Sequence, residues 1–151
     1  MSIVTDWITA LATVVSAGGV VFAVRQLRLT KQISQQEFED GLAKEYRELA
    51  SRIPTRALLG SGLSPSEYDD SFDEMFRYID LSNEQVLLRK SRRIGDDTWE
   101  SWCSGIQYNL SLPVFNRAWK EIKEKNPTQF LELKLLEQQG FHSDPKFWDK
   151  R

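Results

Sequence analysis

One cysteine, one histidine and almost no charge excess leave this chain poor in several kinds of chemistry. Cys103 alone offers neither a disulfide nor a cysteine-based metal site, and it fits a reducing compartment. His142, the single histidine, lies in the final stretch FHSDPKFWDKR, so a histidine metal site or a Ser-His-Asp triad has no support. The 20 basic residues face 22 acidic ones, without the basic excess of a general nucleic-acid binder. Gly60-Ser61-Gly62 lacks both the following lysine and the preceding strand of a phosphate-binding loop. There is no internal repeat, no low-complexity tract and no sustained period-2 alternation, which removes strands as the main element. With 151 residues, one modest domain is the ceiling.

What the chain does have is an asymmetry. Trp7 to Val24 is an 18-residue stretch without a charge, and the chain beyond about residue 30 is hydrophilic. That length is the short end of a membrane span, which needs roughly 17–25 residues. Its strong apolar residues (Ile8, Leu11, Val14, Val15, Val20, Val21, Phe22, Val24) favour insertion by roughly 2–5 kcal/mol together. Thr9, Thr13, Ser16, Gly18 and Gly19 offset part of this. No Lys or Arg precedes Arg25, whereas Arg25, Arg28 and Lys31 follow at once. A secretory signal has the reverse order. The positive-inside rule then places Met1 outside and the rest of the chain in the cytoplasm. A buried helix of a soluble protein is the alternative, and the all-round apolar character of the run speaks against it. Trp7 suits an interfacial anchor at the outer leaflet. Thr9, Ala12, Ser16, Gly19 and Ala23 follow at spacings of 3, 4, 3 and 4, so they share one helix face. Small residues at that spacing let two helices approach closely in lipid, which predicts transmembrane association.

Residues 25–53 contain one glycine, Gly41, and no proline, and Phe38, Leu42, Tyr46, Leu49 and Ile53 form an apolar stripe. They read as a juxtamembrane helical stalk that ends at Pro54. Ser64-Pro65-Ser66-Glu67 is a capping box with proline in the first turn. It opens a helix bearing Tyr68, Phe72, Met75, Phe76 and Ile79, expected to end near RKSRR. Asp96 or Asp97 is the expected cap of the next helix, with Trp99, Trp102, Cys103, Ile106 and Leu110 on its inner face. Pro113 restarts the chain for Phe115, Ala118, Trp119 and Ile122. Asn126-Pro127-Thr128-Gln129 reads as a further cap, before FLELKLLEQQ and a stop at Gly140. The tail, 141–151, is expected to lack regular structure, with Phe141, Lys146, Phe147 and Trp148 forming either a short docking peptide or a segment packed back on the bundle.

The apolar N-terminus together with FEDGLAKEYRELASRIPTRALLG, YIDLSNEQVLLRK and TWESWCSGIQYNLSLPVFNRAWKEI resembles a family of small bacterial membrane-anchored proteins. Those proteins carry a helical cytosolic domain and have no assigned function. The likeness covers roughly residues 7 to 135. It implies the architecture, and it brings no catalytic residues that could be carried onto this chain.

Three clusters carry candidate chemistry. The acidic pairs Asp69/Asp70, Asp73/Glu74 and Asp96/Asp97 lie at or beside helix starts, where acids complement the helix dipole, and capping and solvation explain them better than catalysis. Arg89, Lys90, Arg92 and Arg93 form the densest basic segment. It could contact the phosphates of anionic lipid, at about 1 kcal/mol per side chain near the surface, with nucleic acid ranked behind, or it could simply be a solvated basic helix end. Asp80, Asn83 and Glu84 mix polar groups into an otherwise apolar helix and read either as a partner site or as a satisfied polar network, with Arg89 or a tryptophan N–H as donors.

The sequence therefore predicts an all-α protein: a transmembrane segment over 1–24, a stalk over 25–53, a cytosolic bundle of about four helices over 54–140, and a tail over 141–151. The role it predicts is non-enzymatic, an adaptor or assembly subunit at the inner membrane, with membrane lipid and either a second copy or another membrane protein as partners. No cofactor and no small-molecule substrate are expected. The alternative is a membrane-linked effector, of toxin or phage-defence type, acting on lipid or nucleic acid through the basic segment.

Overall fold

The computed structural model describes the backbone of residues 3–150 and the side chains of residues 20–148. All its regular elements are helical: α1 (Ile3–Arg52), α2 (Thr55–Leu58), α3 (Pro65–Lys90), α4 (Asp96–Ser111), α5 (Pro113–Lys125), α6 (Leu131–Gln138) and a closing 3-10 turn (Pro145–Lys150). The chain divides into two compact units within α1, 1–38 and 39–151.

Of the first unit, side chains are described from Val20 onward. Val20, Val21, Phe22, Leu27, Leu29 and Ile33 are all exposed there. Among the described residues, no helix is long and apolar enough to cross a membrane. Residues 7–19 of the apolar run, with Thr9, Ala12, Ser16 and Gly19 of the small-residue seam, lie outside the residues whose side chains are described; Ala23 is described and exposed.

The second unit begins earlier than the expected stalk boundary at 53. Leu42, Leu49 and Ile53 are buried, so the apolar stripe of the stalk sequence lies in this unit's core from residue 39 onward. An amphipathic stripe gains about 25 cal/mol per Å² when covered, and this one is covered by the chain's own helices.

α3 is the hub of the unit, in contact with α5, α6 and the closing turn. It starts as its sequence dictates: Ser64 Oγ accepts the Glu67 N–H, and Glu67 Oε2 accepts the Ser64 N–H at 3.0 Å. Met75, Ile79 and Val86 are completely buried along it. Opposite them, α5 presents Phe115, Ala118, Trp119 and Ile122 at helical spacing, all buried. The rings meet edge to face, Tyr78 against Phe115 at 5.1 Å and 72°, and Phe76 against Phe130 at 5.6 Å and 81°. Such contacts add about 0.5–1.5 kcal/mol each beyond their buried area.

Two helix starts depart from the sequence pattern. α4 is capped by Gly95 without a side-chain cap, and Asp96 and Asp97 lie inside its first turn. The acceptor comes from α1 instead: Glu39 Oε1 takes the Gly95 N–H at 2.8 Å and Oε2 takes the Thr98 hydroxyl at 2.5 Å. α6 starts at Leu131, later than the Asn126-Pro127 signature predicts, with Phe130 as its cap in the left-handed region at φ 57°. That backbone costs a non-glycine residue about 1–3 kcal/mol. The return is burial of the Phe130 ring between Phe76 and Trp119.

The tail departs from expectation in one respect, for it folds into a regular 3-10 turn; of the two roles open to it, it takes the packed one, burying Pro145 and contacting α3. Trp148 Nε1 donates to Ser143 Oγ at 3.1 Å within it.

Candidate functional site

The basic segment at the end of α3 is not one patch. Arg89 is 3% exposed, and all three of its guanidinium nitrogens donate hydrogen bonds. Nε donates to Asp144 Oδ1 at 2.8 Å and Nη2 to the other Asp144 oxygen, a bidentate pair. Nη1 donates to the Ile94 carbonyl at 2.8 Å, and Nη2 also reaches Asp96 Oδ1 at 2.6 Å. Arg89 is therefore removed from the set of phosphate-contacting candidates. Its role is to hold the tail and the α3–α4 connection to α3. Lys146 reinforces the cluster with a 2.7 Å bond to Asp96. Partial burial pushes the Asp144 carboxyl up, but the bonds from Arg89 and from the Lys146 backbone N–H outweigh it and hold it below the usual carboxylate range. Asp96 is lowered too, by Lys146 first and then Arg89. Lys90 is half-buried and 3.8 Å from Glu132, whereas Arg92 and Arg93 are exposed, with Arg92 at φ 60°.

The polar run Asp80–Glu84 separates in the same way. Asn83 Oδ1 accepts the Leu133 N–H at 3.1 Å, so α3 supplies the N-terminal acceptor that Phe130 lacks. Asp80 and Glu84 are exposed and line a cleft of about 250 Å³ with Glu45, Glu48, Arg52 and Arg77. Among the described residues, neither the Arg89 guanidinium nor a tryptophan N–H serves this run. Trp119 Nε1 is buried with no hydrogen-bond partner among the described residues.

A cavity of about 410 Å³ opens between the 39–52 part of α1, α3 and α4, within the second unit. α1 contributes Ala43, Tyr46 and Arg47, α3 contributes Tyr78 and Gln85, and α4 contributes Ser101, Trp102, Gly105, Ile106 and Asn109. Asn109 Nδ2 donates to Tyr78 Oη at 2.9 Å and lies 3.5 Å from Tyr46 Oη. Burial pushes the Tyr78 phenol up to about 12, so it stays neutral at physiological pH. Trp102, expected in the core, is half-buried and forms a wall.

None of the cavity's polar residues figured among the sequence-derived candidates. A signal was present: Gln85 lies seven residues after Tyr78 on the buried face of α3, and Asn109 lies three after Ile106 on the buried face of α4. An amide on an apolar stripe needs either a partner or a cavity.

Cys103 is buried, and its thiol donates to the Phe141 carbonyl at 3.7 Å. Burial and then Asp144 raise its pKa, which makes it a poor nucleophile. Among the described residues, no group of three or more His, Cys, Asp or Glu is placed to hold a metal ion.

No family model, curated protein or solved structure matches this chain.

Proposed function

We propose that the chain is a membrane-anchored, non-enzymatic adaptor or assembly subunit. In this reading residues 7–24 span the bilayer with Met1 outside, and the helical unit is displayed at the cytoplasmic face. The observation that carries it is the exposure of Val20, Val21 and Phe22 at 64, 58 and 70%. Three consecutive bare apolar side chains, leading out of an uncharged run and directly followed by Arg25 and Arg28, match the cytoplasmic end of a span. Assembly runs through the face of Thr9, Ala12, Ser16, Gly19 and Ala23, where small side chains permit close helix approach. The resemblance to small bacterial membrane-anchored proteins implies the same anchored architecture and says nothing of the role.

The test is the mass of the full chain in lipid nanodiscs, beside Gly19→Leu and beside a chain beginning at Gln35. The full chain should be an oligomer, and both altered chains should dissociate. An assembly untouched by Gly19→Leu would remove the seam from the mechanism, and recovery of the full chain without detergent would remove the span.

The effector reading keeps one observation in its favour, the exposure of Arg92 and Arg93. Charge reversal across the whole segment cannot test it, since Arg89 is structural. Arg92→Glu with Arg93→Glu is the informative pair. Loss of binding to vesicles containing anionic lipid, with the fold intact, would favour the effector.

A further inference from the structure

We propose that the cavity between α1, α3 and α4 binds a mononucleotide, with the base inside and the phosphate at the mouth. The proposal does not depend on the membrane reading, because every lining residue lies in the second unit.

The volume of about 410 Å³ lies within the range of small-molecule sites. The polar inventory then narrows the ligand. Gln85 is 6% exposed, lines the cavity, and its amide has no hydrogen-bond partner among the described residues. The Gln85 amide faces the open cavity, so its donor and its acceptor are both available to a ligand that offers an acceptor and a donor. Asn109, 7% exposed, uses its Nδ2 on the two tyrosines, which leaves Oδ1 as a second acceptor. Asn109, held by the tyrosine hydroxyls, and Gln85, whose amide can bind in a bidentate manner, match the donor–acceptor edge of a purine or pyrimidine.

The walls fit the same ligand. Tyr46 and Trp102 are half-buried aromatics on facing elements, and a base can stack on such rings whatever its identity. Arg47 is exposed, is the charged residue of the lining, and makes no ion pair among the described residues. Among the described residues no carboxylate lines the cavity, so no anionic group there favours a cation. A guanidinium at the mouth selects a phosphate by its paired donors.

The experiment titrates the full chain in mild detergent with AMP, GMP, CMP and UMP, followed by calorimetry. At least one should saturate with a Kd of about 0.1–1 mM, as an unoptimised metabolite site would. Gln85→Leu should weaken that nucleotide about tenfold by removing the bidentate amide. Arg47→Gln should bring its affinity down to that of the matching nucleoside. Gly105→Leu, which projects into open space at the cavity wall, should abolish binding. Near-UV circular dichroism confirms that each variant is folded, and Arg47 is an exposed side chain whose loss does not threaten the core. Failure of all four nucleotides to saturate by about 10 mM, weaker than any useful site, overturns the proposal. So does a Kd unchanged by Arg47→Gln and Gln85→Leu, which would put the bound nucleotide elsewhere.

Discussion

Replacing Arg89 by methionine should destabilise the second unit by about 3 kcal/mol. Methionine keeps much of the stem volume and removes the guanidinium, so the loss is chiefly polar. Breaking a buried ion pair typically costs about 3–5 kcal/mol, because the remaining charge stays buried. Here the remaining charge, Asp144, is a quarter exposed, and water takes over part of its solvation, so the lower end applies. The Ile94 carbonyl loses its donor as well, which adds about 1 kcal/mol. Packing of the methionine thioether returns a similar amount.

For a unit of 113 residues (39 to 151) that loss is a fall in Tm of about 12 °C. Near-UV circular dichroism of the tryptophans during a thermal melt reads it directly. Asp144→Asn then completes a double-mutant cycle, and the double variant should be little worse than Arg89→Met alone. A loss below about 1 kcal/mol with additive single changes would mean that the bidentate pair contributes nothing net. Arg89 would then fix where the tail docks without adding net stability.

Acid should act through the same cluster. Asp144 and Asp96 have folded pKa values below the usual range, so their stabilising contribution is present above about pH 4 and is lost as pH falls through the folded values. Wild type should accordingly lose stability below about pH 4 more steeply than Arg89→Met, as urea titrations at several pH values would show. Asn83→Ala removes the acceptor for the Leu133 N–H and should cost about 1 kcal/mol, with hydrogen exchange rising first in α6. Gly105→Ala places a methyl where nothing lies within 4 Å and should raise stability by about 0.5–1 kcal/mol, measured by urea unfolding.

The parts of the fold legible in the sequence were those set by near neighbours. The Ser64 capping box, the Pro113 restart, the Phe115–Trp119–Ile122 face and the Gly140 stop each depend on residues within one or two turns. What the sequence concealed depends on distant partners. Glu39 caps α4 from 56 residues away and so displaces Asp96 from the capping role. Arg89 finds Asp144 across 55 residues, turning an expected surface charge into a buried one and an unstructured tail into a docked turn. Phe130 leaves the preferred backbone region because two rings from other elements are waiting for it, and the Asn126-Pro127 signature is overridden. The cavity is hidden for the same reason, since its lining comes from three helices with no common motif.

The seven residues from Asn83 to Arg89 show why position on a helix decides such roles. Ile79 and Val86, both completely buried, are about 20° apart around α3 and fix which side faces the core. Measured from Val86, Asn83 lies about 60° to one flank, while Arg89 and Gln85 lie about 60° and 100° to the other. Flank positions are half covered by neighbouring elements, so a polar side chain there meets a particular partner rather than bulk water. Asn83 meets the start of α6, Arg89 meets the tail and the α4 start, and Gln85 meets the cavity. Two of the three are satisfied by the chain itself. The third, Gln85, has no hydrogen-bond partner among the described residues and faces the open cavity. Position on the flank therefore explains Asn83 and Arg89 as structural residues, and it leaves the Gln85 amide as the group that the proposed nucleotide would meet.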